Sequence, residues 1–289
     1  MTARTQKLLV RLRTAINITL ICTPVCFVLY LLSFLLFYDN SIGYFDPGPL
    51  PSLSLACCIA PLLALAVYLL CVGKQQPDDS SFSFPAPGGN PCAWIPAVGL
   101  VLFAAYRVYL LIAGGITLFS VLLPVFSLLS AVYFFMVVRN LCPSGDLLPL
   151  AGFAPLLLCA LLTAYTYFDM FVEMNSPQKL YLQFSLVSFM LYVTSELRYP
   201  LHKPAPRMTV FFGASTLLIG SAGFVCSTVA YLCGILTSAD YFSQSLLGIC
   251  FFCYTLARLI TFSRNLARLP ETDMGAEAER TEASEEVQS

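Results

Sequence analysis

Stretches of about twenty apolar residues recur between residues 16 and 262, each long enough to cross the hydrocarbon core of a bilayer as a helix. Lipid offers backbone N–H and C=O groups no partners, so such a segment must satisfy its own hydrogen bonds, and a helix does this within itself. Only 11% of the residues are charged, too few to cover a water-soluble domain of this length. The predicted fold is all-α, a polytopic membrane protein with a bundle of about eight transmembrane helices. The spans fall at about 16–38, 53–72, 94–113, 115–138, 149–168, 180–199, 208–236 and 240–262. The first run is too long for a signal-peptide core and lacks a small-residue cleavage site after it, so it is read as an uncleaved span.

Three regions follow from this reading: a basic N-terminus (1–15), the helical bundle (16–268) and an acidic tail (269–289). The tail lacks an apolar face and is expected to be disordered. Residues 73–93 are rich in Pro, Gly and Ser and form the longest loop.

Lys and Arg bias sets orientation, because positively charged short loops stay in the cytoplasm. With the N-terminus inside, Arg4, Lys7, Arg11 and Arg13 share one side with Lys74, Arg139, Arg198, Lys203, Arg207, Arg258, Arg264 and Arg268. The other side holds Lys179 alone, together with Asp39, Asp46, Asp169, Glu173 and Asp240. Both termini are therefore expected in the cytoplasm, and the protein in the cell (plasma) membrane.

Polar residues inside spans are costly in lipid and mark positions of interest. In the sixth span the hydroxyls of Tyr181, Ser185, Ser188, Tyr192, Ser195 and Tyr199 recur at alternating intervals of four and three, one stripe along a helix. The stripe starts after Asp169, Glu173, Asn175 and Lys179 and ends beside Glu196. Such a stripe suits interhelical hydrogen bonding, and it also suits a polar path for a solute. MNSPQK at 174–179 has the form of a helix entrance, with Asn or Ser as cap and Pro in the first turn. Arg107 falls well inside the third span, where an unpaired guanidinium costs about 2.5–3.5 kcal/mol. It is expected to face the bundle and pair with Asp169 or Glu173, with Asp39 next in line, closing the outer end of the path.

The seventh span carries a second pattern. Gly213, Thr216, Gly220, Gly223, Ser227, Ala230 and Gly234 alternate at intervals of three and four, a face of small residues along which another helix can approach closely. Pro24, Pro61, Pro96, Pro124 and Pro155 recur in the first part of the early spans, where each removes a backbone hydrogen bond and favours a kink. FSLLSAVYFFMVVR, FSLVSFMLYVTSELR and SLLGICFFCYTLAR in the fourth, sixth and eighth spans share a loose likeness, all ending in Arg, as the repeats of transporters do.

Catalytic and metal-binding signatures are missing from this pattern. The single His, His202, lies in a basic loop and supports neither a His-ligated metal nor a His-based triad. Most of the twelve Cys lie in apolar spans and none in a proposed outer loop, which implies no disulfide framework. Cys250 and Cys253 form a CxxC inside a span, without the second pair that a metal site needs. No catalytic or cofactor residue is assigned, and dispersed basic residues exclude a nucleic-acid patch. The expected surroundings are a lipid bilayer, with a membrane partner subunit or a second copy as protein partner. Two functions fit: a small-solute permease or channel of unknown substrate, or a non-catalytic sensor or assembly partner of a membrane complex.

Overall fold

The computed structural model describes residues 3–39, 42–71, 91–114, 116–139, 147–169, 176–201 and 203–286. Glu173, Asn175, His202 and Lys74 lie outside the described residues. Helix α1 (Ala3–Phe37) is followed by a two-residue hairpin, β1 (Tyr38–Asp39) and β2 (Tyr44–Phe45), paired Tyr38 to Phe45. Gly43, with φ of 70°, turns the hairpin, and Tyr38 and Phe45 both stand edge-on or tilted against Phe34. This small sheet is absent from the sequence reading, because its strands are too short to show an alternating pattern.

Helix α2 (Pro49–Ala66) ends in a π turn, Val67–Cys71. A 3₁₀ turn, Pro91–Ala93, leads into α3 (Trp94–Gly114), and α4 (Leu118–Val138) follows. Then come α5 (Leu147–Ala151), α6 (Phe153–Phe168), α7 (Pro177–Glu196) and α8 (Pro206–Gly220). A π-helical stretch, Ser221–Cys226, joins α8 to α9 (Ser227–Leu232), and α10 runs from Ala239 to Glu286. The backbone of α10 therefore continues through the acidic tail for which composition predicts disorder. Ala, Glu, Arg and Met are strong helix formers, and that propensity needs no apolar face.

Local chemistry explains several boundaries. Thr117 and Ser120 form a capping box at the start of α4, with Ser120 N donating to Thr117 Oγ1 at 3.1 Å and Thr117 N to Ser120 Oγ at 2.7 Å. Ser176 caps α7, accepting from Lys179 N at 3.3 Å, and Pro177 occupies the first helical position, so the MNSPQK entrance is in place. Pro24, Pro61 and Pro124 sit inside α1, α2 and α4. Pro96 and Pro155 fall instead in the first turns of α3 and α6. There a proline loses no bond of its own helix, but its ring excludes the carbonyl four residues back. Ahead of Pro155, α5 is set off from α6 at Gly152, and ahead of Pro96 the Pro91–Ala93 turn is 3₁₀ and not α-helical.

Among the described residues seven helices are long and apolar enough to cross a membrane: those built on α1, α2, α3, α4, α5–α6, α8–α9 and α10. Helix α7, the sixth expected span, is not among them. Gln178, Lys179, Gln183, Glu196 and the hydroxyl stripe lower its hydropathy, and most of these side chains are buried by neighbouring helices. Helices α3, α4, α6, α7, α8, α1 and α2 are neighbours in that order around an open ring. Helix α10 packs against α3, α7, α8, the π stretch and α1, and the α8–α9 span is the most enclosed of the membrane-length helices. One apolar core fills the space between α10 and α3, α4, α6 and α7, and a second lies between α10 and α1, α2 and α8.

The small-residue face of the seventh span is buried from Gly213 to Ala230. A Cβ at Gly213 would meet Leu259 of α10 at 3.0 Å, and one at Gly220 would meet Phe224 at 3.1 Å and Phe252 at 3.4 Å. One at Gly223 would collide with the backbone carbonyl of Tyr181 and with Ser185 on α7. Gly234 does not belong to the face. Its φ is 75° and nothing stands within 4 Å of its Cβ position. Gly234 N donates to Tyr231 O and Ile235 N to Ala230 O, the Schellman pattern that ends a helix with a left-handed residue.

Candidate functional site

Two ionic clusters sit at opposite ends of the bundle, and α10 contributes to both. At one end α3 carries Arg107, α6 carries Tyr165 and Thr166, and the first turns of α10 carry Asp240 and Gln244. Arg107 is 4% exposed, and its Nη1 lies 3.3 Å from Asp240 Oδ1. Tyr165 donates to Asp240 Oδ2 at 2.7 Å, so its oxygen is left to accept from Arg107 Nη1, at 3.5 Å. The guanidinium also lies over the rings of Phe103 and Tyr165, at 5.1 and 4.9 Å from their centroids. One turn deeper, Thr166 Oγ1 stands 2.8 Å from both Leu162 O and Gln244 Oε1. A hydroxyl has one proton, so one end of the Gln244 amide bonds Thr166, and the other end is buried without a partner.

Arg107 thus faces the bundle and pairs with a carboxylate, and the partner is Asp240 rather than Asp169 or Asp39; the other expected partner, Glu173, lies outside the described residues. Asp169 belongs to the neighbouring contact, where its backbone carbonyl accepts from the buried ammonium of Lys179 at 2.7 Å. That bond ties the start of α7 to the end of α6.

At the other end, Glu196 of α7 is 4% exposed and accepts from three side chains. Arg258 Nε donates to Oε1 at 2.9 Å, Tyr192 to Oε1 at 2.8 Å and Tyr254 to Oε2 at 2.8 Å. Three donors on one carboxylate offset the desolvation that a lone buried acid would suffer.

The hydroxyl stripe of α7 does turn inward. Ser185, Ser188, Tyr192 and Ser195 are all buried, but they do not form a file of exposed hydroxyls. Ser185 donates to Tyr181 O at 2.6 Å and Ser195 to Tyr192 O at 2.7 Å, both within α7. Between the two clusters the seam of α7 and α10 is filled by aromatic rings. Phe189 and Phe251 stack face to face at 4.2 Å with an 8° tilt, and Phe134 packs onto Tyr254 at 5.1 Å. An apolar groove of about 470 Å³, lined by Ala160, Ala164, Gln183, Val187 and Met190, lies between α6 and α7 and involves neither cluster.

The residues that sequence reasoning missed are Tyr165 and Thr166 on α6 and a row along α10. Asp240, Gln244, Leu247, Phe251, Tyr254 and Arg258 follow the same alternation of four and three as the stripe on α7. The signal is present, but Leu247 and Phe251 interrupt its polarity, so a search for polar residues alone passes over it. Among the described residues no group of His, Cys, Asp and Glu has the arrangement of a metal site. Compared with protein-family models, with curated proteins and with solved structures, the chain gives no match.

Proposed function

We propose that this integral membrane protein is a small-solute permease of eight spans, with both termini cytoplasmic and its translocation seam between α7 and α10. The observation that carries this reading is the pairing of two ionic clusters, each built on a buried arginine, across one aromatic layer on the same helix α10. Ionisable groups inside membrane helices are costly and concentrate along solute and ion routes. Each cluster closes one mouth of the seam: Arg107, Tyr165 and Asp240 hold α10 to α3 and α6, and Glu196 with Arg258 holds α10 to α7. The aromatic layer separates the two mouths, an arrangement suited to opening one side at a time.

Counting α7 as a membrane span is supported by its course beside α6. Lys179 meets Asp169 at one end, Gln183 Nε2 donates to Thr163 O at 3.4 Å, and Leu197 lies against Gly152 at the far end. The Lys and Arg bias supports placing the Arg107 cluster outside and the Glu196 cluster inside.

Proteoliposome uptake tests the proposal. The purified protein, reconstituted and challenged with labelled acids, amines, sugars and amino acids, is expected to move at least one of them faster than protein-free vesicles do. Flux at the background rate for all of them, with a partner subunit retained at fixed stoichiometry through purification, would establish the sensor or assembly reading in its place.

A further inference from the structure

The outer cluster contains a half-used arginine. A guanidinium presents five N–H donors in a planar fork, and the bidentate grip on a carboxylate uses two parallel bonds from adjacent nitrogens. In Arg107 the Nη1 side is occupied by Asp240 and Tyr165. Nε and Nη2, which share the other side of the plane, are buried and have no hydrogen-bond partner. Leaving buried charged donors unmade is costly, by about 1–3 kcal/mol or more for each group. A second buried polar group without a partner, the free end of the Gln244 amide, lies one turn along α10 from Asp240.

We infer that the Nε–Nη2 edge of Arg107 is the binding site for a small organic monocarboxylate, the substrate class of the permease. The fork selects an oxyanion that offers two oxygens side by side, as carboxylates and phosphates both do. Charge selects a monoanion, because Asp240 already offsets the guanidinium and a phosphate dianion would add two negative charges beside it. The rings of Phe103 and Tyr165, over which the guanidinium lies, provide apolar walls for an organic acid. The inference rests on the permease reading only for what happens after binding; the binding step is measured without transport.

Thermal stability of the purified protein is followed in phosphatidylcholine nanodiscs at constant ionic strength, with acetate, benzoate, benzamide, inorganic phosphate and chloride as probes. Acetate and benzoate are expected to raise Tm in a saturable way, and benzamide and phosphate to match chloride. Arg107→Lys keeps the charge and loses the fork, so benzoate should bind roughly tenfold more weakly, or worse. Asp240→Asn removes the competing carboxylate and should tighten benzoate several-fold, which locates the site even if Arg107→Lys does not fold. The proposal is overturned if neither carboxylate shifts Tm, if benzamide does so equally, or if Asp240→Asn leaves benzoate affinity unchanged. It is overturned as well if phosphatidylglycerol in the disc abolishes the benzoate shift, since the edge would then hold a lipid headgroup. Flux of neutral solutes without carboxylate binding would remove this inference and leave the permease; carboxylate binding without flux would do the reverse.

Discussion

Glu196 and Arg258 are both buried, and each exchanges its solvent for protein partners, the other of the pair and the tyrosines Tyr192 and Tyr254 among them. Breaking such a pair from one side strands a charge, at about 3–5 kcal/mol. Arg258→Ala is therefore expected to lower Tm in detergent far more than Arg107→Ala does, since the Asp240 side chain retains 34% exposure and water can compensate it. Replacing both members, Glu196→Leu with Arg258→Met, should recover most of the loss, and failure to recover any would mean that the tyrosine hydroxyls are the stronger tie. Sequence reasoning reached part of this. That Arg107 must turn inward and find an acid follows from its depth alone, whereas the identity of that acid does not, because Asp240 lies 133 positions away and looks like any interfacial carboxylate. Arg258 was hidden for a related reason. A count of positive charges by side treats it as one more loop cation and is blind to how far a side chain reaches back into the bundle.

Single glycines decide how closely the helices can approach. At Gly223 the obstruction to a side chain is the backbone of α7, which cannot step aside, and at Gly248 it is the buried ring of Phe224. At Gly220 the nearest atoms belong to aromatic side chains beyond 3.0 Å. Gly223→Ala is expected to cut folded yield sharply and Gly220→Ala much less, as read by monodisperse fraction on gel filtration; equal effects would contradict the close contact between α7 and the π stretch. The alternation of small residues made most of this face legible in the sequence. Its last member was not, because Gly234 fits the spacing while serving as a left-handed helix end. Helix α7 shows the opposite failing of simple measures. Its polarity lowers its hydropathy below that of its neighbours, although its stripe pattern marks it as a helix with one side turned to protein.

The molecule as a whole is an α-helical membrane bundle in which the α8–α9 span is the most enclosed and α10 packs against helices of both apolar cores. Its proposed orientation is checked by reporter fusions, which should read cytoplasmic after Ser80 and after Ser289 and external after Gly43; an external reading at Ser289 would overturn the eight-span count. That the chain forms a bundle of long apolar helices was legible, because it follows from transfer of side chains to lipid; among the described residues seven such helices stand against the eight expected, α7 being too polar to count. That α10 borders both apolar cores was not legible, since nothing in a linear pattern tells which amphipathic face meets which. The stacked pair Phe189 and Phe251, together with Phe134, has an electrical consequence. A bare ion brought into so apolar a layer would face a barrier of tens of kcal/mol. A potential of 100 mV offers it only about 2.3 kcal/mol. A bundle with this layer is thus an insulator, and a membrane crowded with it should conduct no better than the bilayer alone and hold its voltage as well.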